Sequence, residues 1–367
     1  DVNKLSNIEA KTKSFDVDLS KFKAAINVIG DKCKEDVLII VETTVPPGTC
    51  MKVVKPILDN CFNERKISSN YKLGHSYERV TPGPNYINSI RNFYRVYSGI
   101  DESSKDATEA FLKSIIYTDE YPLTRLESTN ASEMAKVLEN SYRAMNIAFI
   151  DEWSKFAEDS GINIYDVIKV IKMRPTHSNI MFPGIGVGGY CLPKDPLMAS
   201  WSYKNLFHSA IGLPQSEKAV EINDLMPLNS FKIINKHFSN LKNKNVLFIG
   251  VSYLNDIGDT RYSPLELLYD KFNDRESKVT YYDPYVKFWE EKKIYSNLSL
   301  SGSFKNTIDI AIIATKHEVF YKDDYLYKIF LDQPKMLILD CQGLLSNNQI
   351  GKLQKKHILK VLGRGDI

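Results

Sequence analysis

The sequence has 367 residues, which is too long for one ordinary hydrophobic core, so we expect two or three domains. Its hydrophobic fraction of 43%, charged fraction of 25% and net charge of +3 are typical of a soluble globular protein, and they exclude a strongly basic nucleic-acid binder or a protein of anionic membrane surfaces. No stretch approaches the roughly 18 continuous apolar residues that span a bilayer, and the N-terminus has no secretory signal pattern.

Helix and strand signals alternate in the first third of the sequence. Apolar residues at helical spacing predict a helix at residues 20–29, and the aliphatic run at residues 37–41 predicts a strand buried on both faces. A second helix is expected at residues 51–61 and a short strand at residues 73–80. Helix followed by buried strand is typical of a parallel α/β sheet.

The middle of the sequence is mostly helical. Between residues 131 and 158 apolar residues recur at close to 3.6-residue spacing without Gly or Pro, which predicts one long helix. Another helix is expected at residues 164–173 with Asn163 as its N-cap, and a third at residues 216–238 that joins two domains.

The last part of the sequence again alternates strands with helices. We predict strands at residues 245–250, 278–284, 308–314 and 336–340, and a helix at residues 264–272. A second nucleotide-binding type of domain is therefore expected at about residues 240–367.

Residues 183–189 are the densest glycine cluster of the sequence. Within it, residues 184–189 match G-x-G-x-x-G, but a dinucleotide fingerprint lies between a strand and a helix N-terminus, and here a polar segment precedes the cluster. We interpret the cluster as a loop whose missing Cβ atoms permit close approach to a ligand and which presents Cys191; a plain turn is the alternative. No other such motif occurs, so the usual phosphate loop would lie outside this sequence.

Cys191 is the candidate nucleophile. The five cysteines are odd in number and lack C-x-x-C spacing, which predicts a reducing, cytoplasmic location and no zinc site or disulfide framework. A lone cysteine is more often a small buried hydrophobic residue. Cys191, however, follows a glycine loop and precedes Lys194 and Asp195, and a nearby cation favours the nucleophilic thiolate.

Residues 188–195, Gly-Gly-Tyr-Cys-Leu-Pro-Lys-Asp, resemble the G-G-x-C-x-x-K-D signature of the UDP-glucose/GDP-mannose dehydrogenase family. Five more segments resemble motifs of that family in the family's order: residues 42–49 (S-T-V-P-P-G-T), 77–83 (P-E-R-x-x-P-G), 133–140 (E-x-x-K-x-x-x-N), 223–227 (N-D-x-M-P) and 250–264 (the opening of its C-terminal domain). Six motifs in one order make the resemblance specific. It implies an α/β protein with two Rossmann-like domains joined by a long central helix.

The resemblance implies three regions. These are an NAD-binding Rossmann-like domain at residues 1–125, a central helical dimerisation and active-site region at residues 126–238, and a nucleotide-sugar-binding Rossmann-like domain at residues 239–367. Because no phosphate loop is visible and the sequence does not begin with methionine, we expect the N-terminal domain to be incomplete.

The resemblance also implies the residues of the site. The catalytic set would be Cys191, Lys136, Asn140, Asp195, Glu78 and Thr44. NAD would be contacted by Thr43, Thr44, Val45, Lys194 and Arg261. The substrate would be contacted by Glu78, Lys136, Asn140, Arg174, Phe182, Gly186, Gly188, Tyr253 and Arg364. Lys136 and Asn140 lie four residues apart, so a helix places them on one face, although that spacing alone also fits a solvent-facing polar stripe.

The implied reaction is a two-step oxidation. Hydride passes from the C6 alcohol of a UDP-sugar to NAD, the Cys191 thiolate captures the aldehyde as a thiohemiacetal, and a second oxidation gives a thioester. Water activated by Glu78 or Asp195 then releases the uronic acid, for polysaccharide biosynthesis. The implied partner is a second copy of the chain, bound through the central helices, with no nucleic acid, membrane or metal.

The sequence leaves the sugar open among UDP-N-acetylmannosamine, UDP-N-acetylglucosamine, UDP-glucose and GDP-mannose, and residues 174–179 favour an N-acetylhexosamine. Three positions depart from the family pattern: Leu254 replaces a lysine, Tyr77 a proline and Thr43 a serine. A noncatalytic nucleotide-sugar-binding homologue is therefore the alternative, although the intact cysteine motif argues against it. A β-hydroxy-acid dehydrogenase shares the domain plan but leaves that motif unexplained.

Overall fold

The computed structural model describes residues 2–5, 14–80, 85–304 and 307–367, which divide into two compact units. The first unit falls within Asp1–Tyr142 and Lys194–Glu217, and the second within Arg143–Pro193 and Lys218–Ile367. Each unit contains a β-sheet with helices, so the predicted α/β class is confirmed. The division into regions at residues 125 and 238 stays a prediction.

A four-stranded sheet forms the framework of the first unit. The strands of this unit are β1 (Val2–Leu5), β2 (Ser14–Val17), β3 (Leu38–Val41), β4 (Lys72–His75), β5 (Val96–Gly99) and β6 (Thr124–Arg125). β1 and β2 pair with each other, and the remaining strands lie in the order β3-β4-β5-β6. The β3–β4 and β5–β6 pairs are parallel and the β4–β5 pair is antiparallel. Because β3 lies at the edge, Ile39 and Val41 are buried while Leu38 and Ile40 are half-buried, which corrects the prediction of two buried faces.

Among the residues described before the long central helix, four α-helices are present. They are α1 (Ser20–Lys32), α2 (Lys55–Glu64), α3 (Tyr86–Arg91) and α4 (Glu102–Lys113). The helix predicted at residues 51–61 begins instead as a π-helical turn, Cys50–Val54, that leads into α2. Ile26 of α1 and Leu58 of α2 are buried in one apolar cluster with Leu73 of β4.

Five helices lie in the middle of the chain. They are α5 (Thr129–Asp159), α6 (Ile164–Lys172), α7 (Asp195–Asn205), α8 (Pro214–Leu225) and α9 (Pro227–Asn235). The long helix is confirmed, and Asn163 caps α6 because its side chain accepts the N–H of Tyr165 at 3.1 Å. The single helix predicted at residues 216–238 is wrong. Pro227 has no N–H to continue α8, so it begins α9.

A parallel five-stranded sheet forms the core of the second unit. The five strands of this sheet are β7 (Asn245–Ile249), β8 (Lys278–Tyr282), β11 (Ile310–Ile313), β12 (Leu337–Asp340) and β13 (Ile358–Val361). The short strands β9 (Phe288–Trp289) and β10 (Ile294–Tyr295) pair with each other outside it. The helices of this part are α10 (Leu265–Asn273), α11 (Leu300–Ser303), α12 (Glu318–Tyr321), α13 (Tyr325–Asp332) and α14 (Asn347–Leu353). The order in the sheet is β13-β12-β11-β7-β8. Successive side chains of β7 point to opposite faces: Val246 and Phe248 join one buried apolar cluster, and Leu247 and Ile249 join another. Both faces of this sheet are therefore covered, as its continuous apolar strands predict.

Across these described ranges, the structure contains no helix that combines the length and the apolar character of a bilayer span.

Candidate active site

The first unit brings together Asn140, Lys194 and Asp195. The Asn140 amide donates to Asp195 Oδ2 at 2.6 Å, and the Lys194 ammonium lies 2.7 Å from Asp195 Oδ1. Asp195 is the first residue of α7 and is wholly buried, while Asn140 on α5 is half-buried. Both carboxylate oxygens are thus engaged, one by an amide and one by a cation, in short charge-assisted hydrogen bonds.

Lys136 lies one helical turn before Asn140 on α5 and is half-buried. Its ammonium is 5.5 Å from the centre of the Tyr77 ring, and the Arg79 guanidinium is 5.3 Å from the same ring. Tyr77 is 2% exposed, and its hydroxyl accepts from Arg79 at 3.1 Å. The sequence singled out Tyr77 only as a departure from the family pattern. In the structure its ring contacts the cation of a predicted catalytic residue.

Glu78 is exposed, and its carboxylate accepts the N–H of Val80 two residues further on. This contact fixes the side chain against its own backbone. Thr81, Pro82 and Gly83, the end of the predicted motif, lie outside the described residues. The role of Glu78 as base or water-orienting residue stays a prediction.

The predicted cofactor residues Thr43, Thr44 and Val45 lie shortly after β3, separated from it by Glu42. Thr43 is exposed, Thr44 is half-buried and Val45 is 3% exposed. β3 is parallel to β4, and open α/β sheets bind ligands beyond the carboxyl ends of their parallel strands. The exposed and half-buried threonines lie just beyond the carboxyl end of β3, and their contact with NAD stays a prediction.

The turn that follows, residues 46–50, is held by Glu133 of α5. One carboxylate oxygen accepts the N–H of Gly48 at 2.6 Å and the other accepts the N–H of Cys50 at 2.8 Å. Glu133 is 1% exposed. Burial raises its pKa to about 7, against the lowering effect of Cys50 and of the backbone N–H groups that it accepts. In the sequence, Glu133 is only the first residue of the E-x-x-K-x-x-x-N motif at residues 133–140.

In the second unit, the glycine cluster lies in irregular backbone before Cys191, which agrees with its interpretation as a loop. A Cβ on Gly188 would lie 2.5 Å from the Cβ of Tyr253, and one on Gly189, whose φ is +77°, would lie 2.6 Å from the Tyr253 ring. The missing Cβ atoms thus leave the space that the Tyr253 side chain occupies, while approach of a ligand stays a prediction. Gly186 is similarly close to a side chain, since its Cβ would lie 2.5 Å from Pro264.

Cys191 is exposed at the end of this loop, and the segment around Arg261 runs beside it. Gly189 N–H donates to the carbonyl of Arg261 at 2.9 Å. The Arg261 guanidinium donates to both carboxylate oxygens of Asp259 at 2.6–3.1 Å. Asp259 raises the pKa of Arg261, and the Cys191 thiolate acts in the same direction. Arg261, which we predicted as a cofactor contact, is thus joined through its backbone to the loop that precedes Cys191.

The loop that carries Tyr253 is fixed by Asp283 and His317. His317 Nδ1 accepts the N–H of Asp256 at 2.8 Å, so its Nε2 carries the hydrogen that faces Asp283 Oδ2 at 3.2 Å. The same Asp283 oxygen accepts the N–H groups of Val251 at 2.8 Å and Ser252 at 3.2 Å. Both ends of the loop are thus held by the sheet of the second unit.

A cavity of about 580 Å³ in the second unit is lined by Phe182 and Arg364, two predicted substrate contacts. The Tyr165 ring stacks on Phe182 with centroids 5.8 Å apart and planes 19° apart. Arg364 is held by Asp366 through hydrogen bonds of 2.6 and 2.7 Å. Lys316 also lines the cavity. Stacked rings beside three cations, of which Lys169 is the third, suit an aromatic base carrying a diphosphate.

Two further residues of the sequence analysis lie elsewhere in the second unit: a predicted substrate contact and a departure from the family pattern. Arg174 is exposed immediately before the 3₁₀ turn Pro175–His177, and Leu254 is 38% exposed in the loop after β7. The predicted contact of Arg174 with the substrate stays a prediction.

Three family models match the chain. They are the NAD-binding domain of the UDP-glucose/GDP-mannose dehydrogenase family at residues 8–117, its central domain at residues 130–224 and its UDP-binding domain at residues 247–347. The expectation of an incomplete N-terminal domain is not confirmed, because the NAD-binding model matches from residue 8. That expectation relied on the missing glycine loop and on the absence of a first methionine, whereas the NAD-binding model matches residues 8–117.

Curated relatives resemble the chain over most of its length. The UDP-N-acetyl-D-mannosamine dehydrogenase of Methanocaldococcus jannaschii is 33% identical over 358 residues, which cover 95% of this chain and 75% of that protein. The protein of the same name from Methanococcus vannielii is 31% identical over 355 residues, with the same coverage of 95% and 75%. The solved structure of UDP-D-ManNAc dehydrogenase from Pyrococcus horikoshii is 26% identical, covers 95% of this chain and 78% of its own, and has a TM-score of 0.80.

Proposed function

The chain belongs to the UDP-glucose/GDP-mannose dehydrogenase family, and from this premise we propose that it oxidises the C6 alcohol of UDP-N-acetylmannosamine to the uronic acid. It is an NAD-dependent nucleotide-sugar dehydrogenase. The choice of sugar is supported by the names of the relatives and by the N-acetylhexosamine preference inferred from residues 174–179. We place the activity in the cytoplasm, where it would supply polysaccharide biosynthesis.

The observation that carries the catalytic part of the proposal is the buried carboxylate of Asp195, with Asn140 and Lys194 bound to its two oxygens. A group held this firmly can accept or relay a proton at a defined position. Lys136 supplies a cation one turn away on α5, and it stabilises the negative charge that develops on the sugar oxygen. NAD, when bound beside Thr43, Thr44 and Val45, supplies the acceptor for the hydride.

Cys191 is the proposed nucleophile. Its thiolate forms a C–S bond to the C6 aldehyde while the carbonyl electron pair moves to oxygen, which takes a proton and gives a thiohemiacetal. Loss of that hydroxyl proton and of hydride, for which a second NAD would supply the acceptor, leaves a thioester. Water, with Glu78 or Asp195 as base, then breaks the C–S bond, so the thiolate is regenerated and the uronic acid leaves. Covalent capture keeps the aldehyde on the protein between the two oxidations.

We assign the nucleotide part of the substrate to the cavity lined by Phe182, Tyr165 and Arg364. The stacked Tyr165 and Phe182 rings provide an apolar surface for a base, and Arg364 provides a rigid, preorganised cation because Asp366 holds it. A noncatalytic nucleotide-sugar-binding homologue would use the same cavity. The apolar Leu254, at a position where the family has a lysine, favours that second candidate.

We also propose a homodimer formed through α5. In the first unit Met134, Leu138 and Tyr142 are 52, 61 and 55% exposed at four-residue spacing, so they form an apolar stripe along one helix face. Further along the same helix Phe149 and Trp153 are 53 and 46% exposed. Contiguous exposed apolar residues of this size mark a surface that binds another protein, here a second copy.

The test is NADH formation by the full chain with UDP-N-acetylmannosamine, UDP-N-acetylglucosamine, UDP-glucose and GDP-mannose. We expect two NADH per sugar, with the highest kcat/KM for UDP-N-acetylmannosamine. Cys191→Ser should abolish formation of the acid, while Cys33→Ser, at a half-buried thiol, should leave it unchanged. Binding of the sugar nucleotides without any NADH would instead establish the noncatalytic alternative.

A further inference from the structure

We propose that Glu133 is a positioning residue of the reaction, whose carboxylate holds the turn at residues 46–50 so that residues 43–45 are presented to NAD. This inference rests on the proposed function, because it assigns Glu133 a part in cofactor binding. Glu133 itself is buried and is not proposed to touch the cofactor or the sugar.

The contacts of Glu133 are unusual for a buried carboxylate. Its two oxygens accept the backbone N–H groups of Gly48 at 2.6 Å and Cys50 at 2.8 Å. Among the ion pairs of the described residues, none includes Glu133. A carboxyl group has two oxygens that can accept, so it can bind two donors at this spacing. Neither an amide nor an apolar side chain of the same size can do so.

The turn depends on this support because of its composition. Pro46 and Pro47 have no N–H, so the donors that can fix the turn are those of the residues after them. Gly48 has a φ of +92°, a conformation that L side chains rarely adopt. Thr49 Oγ1 donates to the Pro46 carbonyl at 2.5 Å and closes the turn internally.

Two side chains that hydrogen-bond to the turn from outside it lie on helices that carry predicted catalytic residues. Glu133 lies on α5, one turn before Lys136, and Ser202, whose hydroxyl donates to the Pro47 carbonyl, lies on α7, which begins at Asp195. The turn is thereby tied to the catalytic helices on one side and is continuous with residues 43–45 on the other. Loss of the Glu133 contacts should displace the cofactor residues and leave the nucleotide cavity of the second unit unchanged.

The test compares Glu133→Gln with the wild-type full chain. The amide keeps the size of the side chain but has a single acceptor, so one of the two N–H groups loses its partner. We expect the Kd and KM of NAD to rise by roughly 10- to 150-fold, as the loss of one hydrogen bond to a charged group implies, while the Kd of UDP changes by less than about twofold. Glu152→Gln, at an exposed position of the same helix, is the matched control and should behave as the wild type.

Calorimetric titration with NAD and with UDP reads both affinities without turnover. Unchanged NAD affinity in Glu133→Gln, or an equal loss of NAD and UDP affinity, would overturn the proposal. If Glu133→Gln does not fold, Glu133→Asp keeps two acceptor oxygens on a shorter side chain. A loss confined to NAD in this variant supports the proposal, and wild-type affinity for NAD refutes it. A wild-type chain that binds NAD but oxidises no sugar would refute the proposed function, and the titrations would still decide the role of Glu133.

Discussion

Replacing Asp195 by Asn tests whether the buried carboxylate organises the first unit. The change keeps the shape of the side chain and removes its charge. Lys194, whose ammonium lies 2.7 Å from Asp195 Oδ1, would then face a neutral amide, and one oxygen would become a donor. Depending on the orientation of that amide, the Asn140 donor at 2.6 Å could meet another donor.

The expected cost follows from burial. Neutralising one partner of a buried ion pair destabilises a protein by about 3–5 kcal/mol, because an unpaired charge remains in a poorly solvated place. Asp195 is wholly buried, but the Lys194 side chain is 13% exposed, so water relieves part of the penalty and we take the lower end, about 3 kcal/mol. For a unit of this size that corresponds to a melting temperature lower by about 6–12 °C.

Differential scanning calorimetry measures this change and separates the transitions of the two units. The control is Glu290→Gln, which breaks a pair with Lys293 whose side chains are 70 and 73% exposed and whose loss should cost less than about 1 kcal/mol. We also expect kcat of Asp195→Asn to fall by at least about 100-fold, the contribution of a positioned acid or base. A melting shift no larger than that of the control would refute the energetic role given to the carboxylate.

Three further outcomes are expected. Gly343→Ala should weaken UDP binding in calorimetric titration, because the φ of Gly343 is +57° and an added Cβ would lie 2.7 Å from the Tyr165 ring. The control Gly351→Ala should not weaken it, because no atom lies within 4 Å of an added Cβ there. Equal UDP affinity in both variants would contradict the assigned cavity. The melting temperature of the wild type relative to that of Glu133→Gln should fall as pH rises from about 5 to 8. Burial raises the pKa of Glu133 from 4.5 to about 7, so in this range the folded protein keeps a proton that the unfolded chain releases. A difference in melting temperature that is independent of pH would argue against that pKa shift. Leu138→Glu should convert a dimer to a monomer in sedimentation, whereas Leu331→Glu, at an exposed site outside α5, should leave the dimer intact. If both variants remained dimers, the interface would lie elsewhere.

Elements whose signal is local were predicted well. The long helix α5 follows from apolar spacing within its own residues, and the cap of α6 follows from Asn163, whose side chain meets a backbone N–H two positions away. The parallel strands of the second unit follow from short aliphatic runs. Errors occurred where one residue overrides a periodic pattern: Pro227 divides the helix predicted at residues 216–238.

The sequence by itself determined the family, through six motifs in order, and the identity of the candidate residues such as Cys191, Lys136 and Asn140. It did so because motif spacing and periodicity are properties of neighbouring residues. Only the tertiary structure decided the partners of those residues, because the contacts join positions that are distant along the chain. Glu133 meets Gly48 across 85 residues, and no local pattern records such a contact.

The glycine cluster shows the same division. Its composition predicted a loop before Cys191 that approaches a ligand closely; the structure has the loop, and the approach of a ligand stays a prediction. What approaches is decided by the fold: the sheet of the second unit carries Tyr253 against Gly188 and Gly189, so a Cβ at either glycine would overlap that side chain. Local sequence thus encodes the space left by a missing side chain, and only long-range packing determines which residue fills it.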